Sequence, residues 1–180
     1  PGRRPSVPPG PPDMPPHELF VSRTPTNGVH VLNAATGAYL HSLDLTSVGA
    51  VVGATYDVNM VAVADDGAIY VCNLTTGGTG FTIYRWADET PGAAPIIAYS
   101  GDSGVSRVGD TFSAIGSGAG TVLAASSRNG TQVAAFRSFD GSYFYWNSVV
   151  DVATAPAGFA GLGFALTSTN SFWGTAGTFL

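Results

Sequence analysis

The stretch NMVAVADDGAIYVCNLTTGGTGFTIYRWAD, residues 59–88, decides the fold. Its apolar runs are short and are separated by turn signals, and residues 81–86 place alternate side chains on two distinct faces, which is the period of a β-strand. Asp66-Gly67 is a strong hairpin signal, and the Gly-rich run at 75–80 suits a second turn. The stretch therefore predicts consecutive antiparallel strands and disfavours a helical fold.

The run AIYVCN, residues 68–73, recurs along the chain at a spacing of 50 to 53 residues. The other copies are ELFVSR at 18–23, TVLAAS at 121–126 and SFWGTA at 171–176. Turns and further apolar runs flank these copies, so that a complete repeat holds four strands. Such a four-strand unit at this period is typical of a β-propeller blade. A β-sandwich is the alternative for many short strands, but the regular recurrence favours the propeller.

The repeats predict an all-β, propeller-like chain with about 3.5 four-stranded blades. The blades are expected approximately at 18–45, 50–99, 108–150 and 159–180. The first lacks its innermost strand and the last stops after its second, so that the strands number three, four, four and two. This describes a partial ring, which is either part of a longer propeller or an arc that another chain completes. The strand at Ser171–Ala176, with Phe172 and Trp173 as packing residues, then needs a partner from the first repeat, a neighbouring chain or further residues.

Composition narrows the possible partners. Residues 1–17 contain eight prolines and are predicted to form an extended tether, because proline lacks the N–H that a sheet needs. The net charge is −5, there is no Lys, and the seven Arg are scattered, which argues against nucleic acid as a partner. No apolar run is long enough for a membrane-spanning helix. The chain begins at Pro1 and not at Met, which is compatible with the removal of an export signal or with a fragment of a longer chain.

Four segments together carry a family resemblance. They are VCNLTTGGTGFTIYRWADET at 71–90, APIIAYSGD at 94–102, RVGDTFSAIGSGAGTVLAASSRNGTQVAAF at 107–136 and NSFWGTAG at 170–177. Over roughly residues 50–180 the chain resembles an uncharacterised family of exported bacterial β-propellers (domain of unknown function 4623). That family is similar to propellers with YVTN-type repeats, which YVCN at 70–73 also resembles. The resemblance implies a propeller fold and an extracellular or periplasmic location, and it implies no particular activity.

The most unusual polar stretch is SGDSGVSRVGD, residues 100–110. It is expected to link the outer strand of one blade to the inner strand of the next, on the same face as the loops at 24–28, 75–80 and 128–130. Asp102, Arg107 and Asp110 are the candidates for a ligand-facing cluster there. The alternative, which is favoured, is that a structural salt bridge or Asx-turns brace the link.

Other candidate motifs favour structural roles. The Gly-rich run at 116–120 lacks the Lys and the helix of a phosphate loop, so it predicts a hairpin turn. His30 and His41 are expected to be cross-strand neighbours, with Asp44 as the nearest third ligand, but surface histidines are favoured over a zinc site. The single Cys72 excludes an internal disulfide and is predicted to be a small core residue. No catalytic residue, metal or cofactor is predicted.

Two functional hypotheses follow from these patterns. The first is a non-catalytic, exported propeller module that binds protein or glycan or scaffolds an assembly, with a protein partner or self-association at exposed blade edges. The second is a hydrolase or lyase with carboxylates near the propeller axis, for which Asp102 and Asp110 are the candidates and residues outside this chain complete the site.

Overall fold

The computed structural model describes residues 18–23, 28–45, 56–77, 79–128, 130–151 and 159–176. The predicted tether at 1–17 lies outside the described residues. The described part is all-β, with thirteen strands and a single 3-10 turn at Gly118–Gly120. None of it forms a helix that is long and apolar enough to cross a membrane.

The strands form four antiparallel sheets, in which neighbours follow the order of the chain. Sheet I contains β1 (Glu18–Arg23), β2 (Gly28–Asn33) and β3 (Tyr39–Asp44). Sheet II contains β4 (Tyr56–Val63), β5 (Ile69–Leu74), β6 (Phe81–Trp86) and β7 (Ile96–Gly101). Sheet III contains β8 (Thr111–Ile115), β9 (Val122–Ser126), β10 (Gln132–Ser138) and β11 (Phe144–Asp151). Sheet IV contains β12 (Phe159–Ser168) and β13 (Ser171–Ala176).

The grouping into three, four, four and two strands is the one that the repeat predicts. The structure contains four separate sheets, whereas a β-sandwich consists of two. The described residues show several antiparallel sheets and do not close into a ring or a barrel.

Every residue of β5 is buried, which shows that other sheets cover both faces of sheet II. Ile69 and Val71 point into a core shared with sheet I, and Tyr70 and Cys72 point into a core shared with sheet III. This explains why β5 is a continuous apolar run and does not alternate with polar residues. Cys72 is a core residue, as predicted, and burial raises the pKa of its thiol.

The first strands of successive sheets lie beside one another, since β4 contacts both β1 and β8, and β8 contacts β12. Side chains connect them. The Ser22 hydroxyl donates to the carbonyl of Asn59 at 2.6 Å, and the Asn59 amide donates to the carbonyl of Gly109 at 2.6 Å. The N–H of Leu166 donates to the Ser113 hydroxyl at 3.0 Å. The sheets are therefore joined along their inner strands.

Two predicted hairpin turns are confirmed, and they bind each other. The N–H of Asp65 donates to the carbonyl of Gly116 at 2.9 Å, and the N–H of Gly116 donates to the Asp65 carboxylate at 3.0 Å. The Asp66 carboxylate accepts from the N–H of Gly118 at 2.8 Å and from its own turn at Ala68. The β4–β5 and β8–β9 turns thus fix the relative position of sheets II and III.

The predicted strand at Ser171–Ala176 is β13, and its partner is β12. The two form an antiparallel hairpin with irregular register. The side chains of Phe172 and Trp173, to which a packing role was assigned from the sequence, lie outside the described residues.

Candidate functional site

The link at 102–110 meets the two neighbouring loops, as the sequence predicts. Thr75, just after β5, forms an isolated antiparallel bridge with Val108, with N–H to carbonyl distances of 3.1 Å in both directions. The N–H of Arg128, just after β9, donates to the Asp110 carboxylate at 2.9 Å. The loop at 24–27 lies outside the described residues. The link and the two described loops therefore form one surface at this end of the sheets.

Arg107 and Asp110 form a bidentate ion pair on this surface. The Nε and Nη2 groups of Arg107 each donate to one oxygen of Asp110 at 2.7 Å. The Arg107 and Asp110 side chains are only 18% and 10% exposed, so water screens the pair less than it would on an open surface. This two-point geometry is the strongest common arrangement of a guanidinium and a carboxylate.

The pair shifts the pKa values of both groups toward their charged forms. Burial raises the pKa of Asp110, but hydrogen bonds from Arg107 and from the N–H of Arg128 outweigh burial, so the net pKa lies below its ordinary value. The hydrogen bond to Asp110 raises the pKa of Arg107. Both groups are therefore ionised and bound to each other at neutral pH.

Asp102 is held separately in its own turn. Its carboxylate accepts from the N–H of Gly104 at 2.8 Å, and its carbonyl accepts from the Tyr99 hydroxyl at 2.5 Å. The structure therefore brings Arg107 and Asp110 together and places Asp102 in an Asx-turn. These contacts are the bracing contacts that were the alternative to a ligand-facing cluster. A binding role for the three residues stays a prediction.

Other carboxylates with shifted pKa values also serve turns. Hydrogen bonds from the N–H groups of Tyr143 and Ser142 lower the pKa of Asp140. Burial raises the pKa of Asp66, but the N–H groups of Gly118 and Ala68 outweigh it and lower the pKa overall. A catalytic general acid needs a carboxyl group whose pKa is raised toward neutrality. The chemistry of these carboxylates is therefore that of stable anions bound to backbone donors.

His30 and His41 lie on opposite faces of sheet I. The register pairs His30 with Ser42 and His41 with Val31, which corrects the expectation that the two histidines are direct neighbours. The His41 ring approaches the carbonyl of Glu89 in the β6–β7 loop at 2.6 Å, whereas the His30 ring lies on the side away from sheet II. The side chain of Asp44 lies outside the described residues. Among the residues that the structure does describe, no three His, Cys, Asp or Glu side chains form a metal-binding group.

Sheet I has an apolar surface on the side away from sheet II, here called its outer face. Two cross-strand rows form it, and they are Leu19–Leu32–Tyr39 and Val21–His30–Ser42. Leu19 is 50% exposed, Val21 39% and Tyr39 60%. The sequence alone does not reveal this face, because ELFVSR has apolar residues on both faces of the strand.

The polar groups of the outer face bind one another. The Nδ1 atom of His30 lies 2.7 Å from the Ser42 hydroxyl, which also lies 3.1 Å from the Tyr39 hydroxyl. The rings of His30 and Tyr39 pack edge to face, with their centroids 5.5 Å apart. The outer face can therefore be buried with these polar groups already paired.

Protein families, curated proteins and solved structures were each compared with this chain, and none matches it.

Proposed function

We propose that this chain is a non-catalytic, exported β-propeller-type module that binds and assembles through uncovered sheet surfaces. The single observation that carries the proposal is the outer face of sheet I. Its rows run across all three strands of that sheet and combine the exposed side chains of Leu19, Val21 and Tyr39 with polar groups that bind one another. Exposed apolar patches of this kind mark interaction sites in soluble proteins.

The blade arrangement is supported by the order of the sheets. Sheets I, II and III pack face to face in chain order, and their first strands lie side by side, as blades do around a central axis. The repeat period and the resemblance to exported propellers support the same arrangement and the same location. In such an arc, the outer face of sheet I is where a preceding blade would pack.

The partner that fits the outer face best is a second copy of the chain. Two copies related by a two-fold axis would present the same surface to each other, which is the commonest way for soluble proteins to assemble. Burial of a Leu or Val side chain contributes roughly 1.5–3 kcal/mol. The internal hydrogen bonds of His30, Ser42 and Tyr39 avoid the penalty for burying unpaired polar groups.

The test is sedimentation velocity over a concentration series, with Leu19→Asp as the disrupting variant. The wild-type chain is expected to sediment as a dimer at high concentration, and Leu19→Asp is expected to sediment as a folded monomer. Tyr143→Asp is the control, because Tyr143 is also exposed but lies beside β11, outside the outer face of sheet I. If Leu19→Asp associates as strongly as the wild type, the outer face is not the interface. A chain that stays monomeric but binds a different protein through Leu19 would overturn self-association and retain the binding role.

A further inference from the structure

A cleft of about 190 Å³ lies between sheet III and the β12–β13 hairpin. One wall is the face of sheet III that points away from sheet II, with Val122, Val133 and Val150. The opposite wall comes from the hairpin, with Leu166 and Asn170. We call it the Arg137 cleft, because the guanidinium of Arg137 lies in it.

Arg137 has hydrogen bonds but no counter-charge in the described part of the chain. Its Nη2 group donates to the carbonyl of Thr169 at 3.1 Å and to the side-chain oxygen of Asn170 at 3.0 Å. Its Nε and Nη1 groups have no acceptor among the described residues. By contrast, both oxygens of Asp110 bind Arg107. Arg137 is thus a fixed cation in a chain of net charge −5, and its hydrogen-bonding capacity is only partly used.

Asn170 adds a second donor at the same place. Its side-chain oxygen faces Arg137, and its NH₂ group has no acceptor among the described residues. The remaining N–H groups of Arg137 and the NH₂ group of Asn170 therefore belong to two side chains that touch each other. Such a set of donors suits an anion with more than one oxygen, such as a carboxylate.

An aromatic pair adjoins Arg137 on the same face of the sheet. Tyr145 of β11 is the direct cross-strand neighbour of Arg137. Its ring packs against Phe139 with a centroid distance of 4.4 Å and an angle of 33° between the ring planes. Phe139 is 77% exposed, so this pair offers aromatic surface to a ligand that extends from the cleft.

From this arrangement we infer that the Arg137 cleft binds the carboxylate-bearing sugar of an acidic glycan. A uronate has a carboxylate for the Nη1 group of Arg137 and the NH₂ group of Asn170, and an apolar C–H face for the exposed Val150 and the aromatic pair. The cleft is smaller than the roughly 300–1,000 Å³ of sites for drug-sized ligands, so it accommodates one ring and not a folded partner. The inference goes beyond the proposed assembly, and its site is separate from the outer face of sheet I.

The experiment is an NMR titration of the full chain with a glucuronate-containing oligosaccharide and with its neutral glucose counterpart. The acidic sugar is expected to bind at least about tenfold more tightly, because a charge-assisted pair contributes that much. The resonances that shift should belong to β9, β10 and residues 166–171. Arg137→Gln should weaken binding about tenfold, and Arg137→Lys, which keeps the charge but loses the planar guanidinium and its contacts with Thr169 and Asn170, should have an intermediate effect. Arg128→Gln is the matched control, because it removes one positive charge at the other end of the sheets and should leave binding unchanged.

Several results would overturn the inference. These are equal affinity for the neutral sugar, no shift near Arg137 at millimolar ligand, or equal affinity of Arg137→Gln and the wild type. If an acidic peptide or inorganic phosphate binds as tightly as the uronate, the cleft is a general anion site and is not specific for an acidic sugar. Sedimentation of the same samples keeps the two proposals apart. A dimer without glycan binding refutes only the Arg137 cleft, and a monomer with glycan binding refutes only the assembly.

Discussion

At position 109 the chain passes so close to the neighbouring sheet that a side chain has no room. Gly109 has a φ of +99°, and a Cβ atom there would overlap the carbonyl oxygen of Asn73. Gly109→Ala is therefore expected to lower the free energy of unfolding by about 3 kcal/mol or more, measured by urea denaturation.

Gly37→Ala separates the clash from the backbone strain. Gly37 also has a positive φ, +70°, but no atom lies within 4 Å of the point that a Cβ would occupy there. This variant is expected to lose only about 1–2 kcal/mol, which is the strain of the left-handed conformation. Equal losses for the two variants would contradict the close approach at Gly109.

Asp110 is expected to make stability depend on pH in the acidic range. Its folded-state pKa is depressed, so its contribution is fully present above the unfolded-state value of about 3.9 and is lost as the pH falls through the folded-state pKa. At neutral pH, Asp110→Asn should lower the free energy of unfolding by about 1–3 kcal/mol, since it weakens hydrogen bonds to a charged partner. Urea denaturation of both proteins at several pH values should show this difference shrinking below about pH 4. A difference that persists unchanged at low pH would show that the carboxylate charge is not the cause.

At the scale of elements, the contact between the β4–β5 and β8–β9 turns should be measurable on its own. Asp66→Ala removes the acceptor of the Gly118 N–H and should speed the exchange of that amide hydrogen, with a loss of about 0.5–1.5 kcal/mol in stability. Asp88→Ala is the control, because the Asp88 carboxylate accepts hydrogen bonds from the N–H and the side chain of Thr90, within its own loop. Unchanged exchange at Gly118 would mean that the two turns do not hold each other.

The strands and their turns could be predicted because their signals are local. Alternation and Asp-Gly pairs placed β4, β5 and β6, and the repeat then located the related strands. The contact between Asp66 and Gly118 could not be predicted in this way, because it joins residues 52 positions apart. It depends on how sheets II and III stack, and the strand period says nothing about stacking.

The candidate site was predicted only in part for the same reason. The sequence placed Asp102, Arg107 and Asp110 on one link but could not show which carboxylate the guanidinium binds. Asp110 is the partner because it lies three residues after Arg107 and can reach its guanidinium. The Asp102 carboxylate instead binds the N–H of Gly104 in its own turn. Arg137 was one scattered arginine in the sequence, and its cleft exists only because the hairpin residues Thr169 and Asn170 lie beside it.

At the scale of the whole molecule, the packing of sheet II on sheet III is expected to provide much of the stability. Phe136 is fully buried between them, with ring centroids 5.5 Å from Phe81 and 4.7 Å from Tyr99. Phe136→Ala should therefore lower the free energy of unfolding by about 3–5 kcal/mol in urea denaturation. Phe139→Ala makes the same chemical change at an exposed position and should have little effect on stability. Similar losses in the two variants would contradict the stacked arrangement.

Self-association through the outer face of sheet I is tested most directly by light scattering on the purified wild-type chain. The exposed side chains of Leu19, Val21 and Tyr39 predict a species with twice the mass of one chain, which dissociates on dilution. A well-folded, monodisperse monomer at every concentration would contradict the proposal.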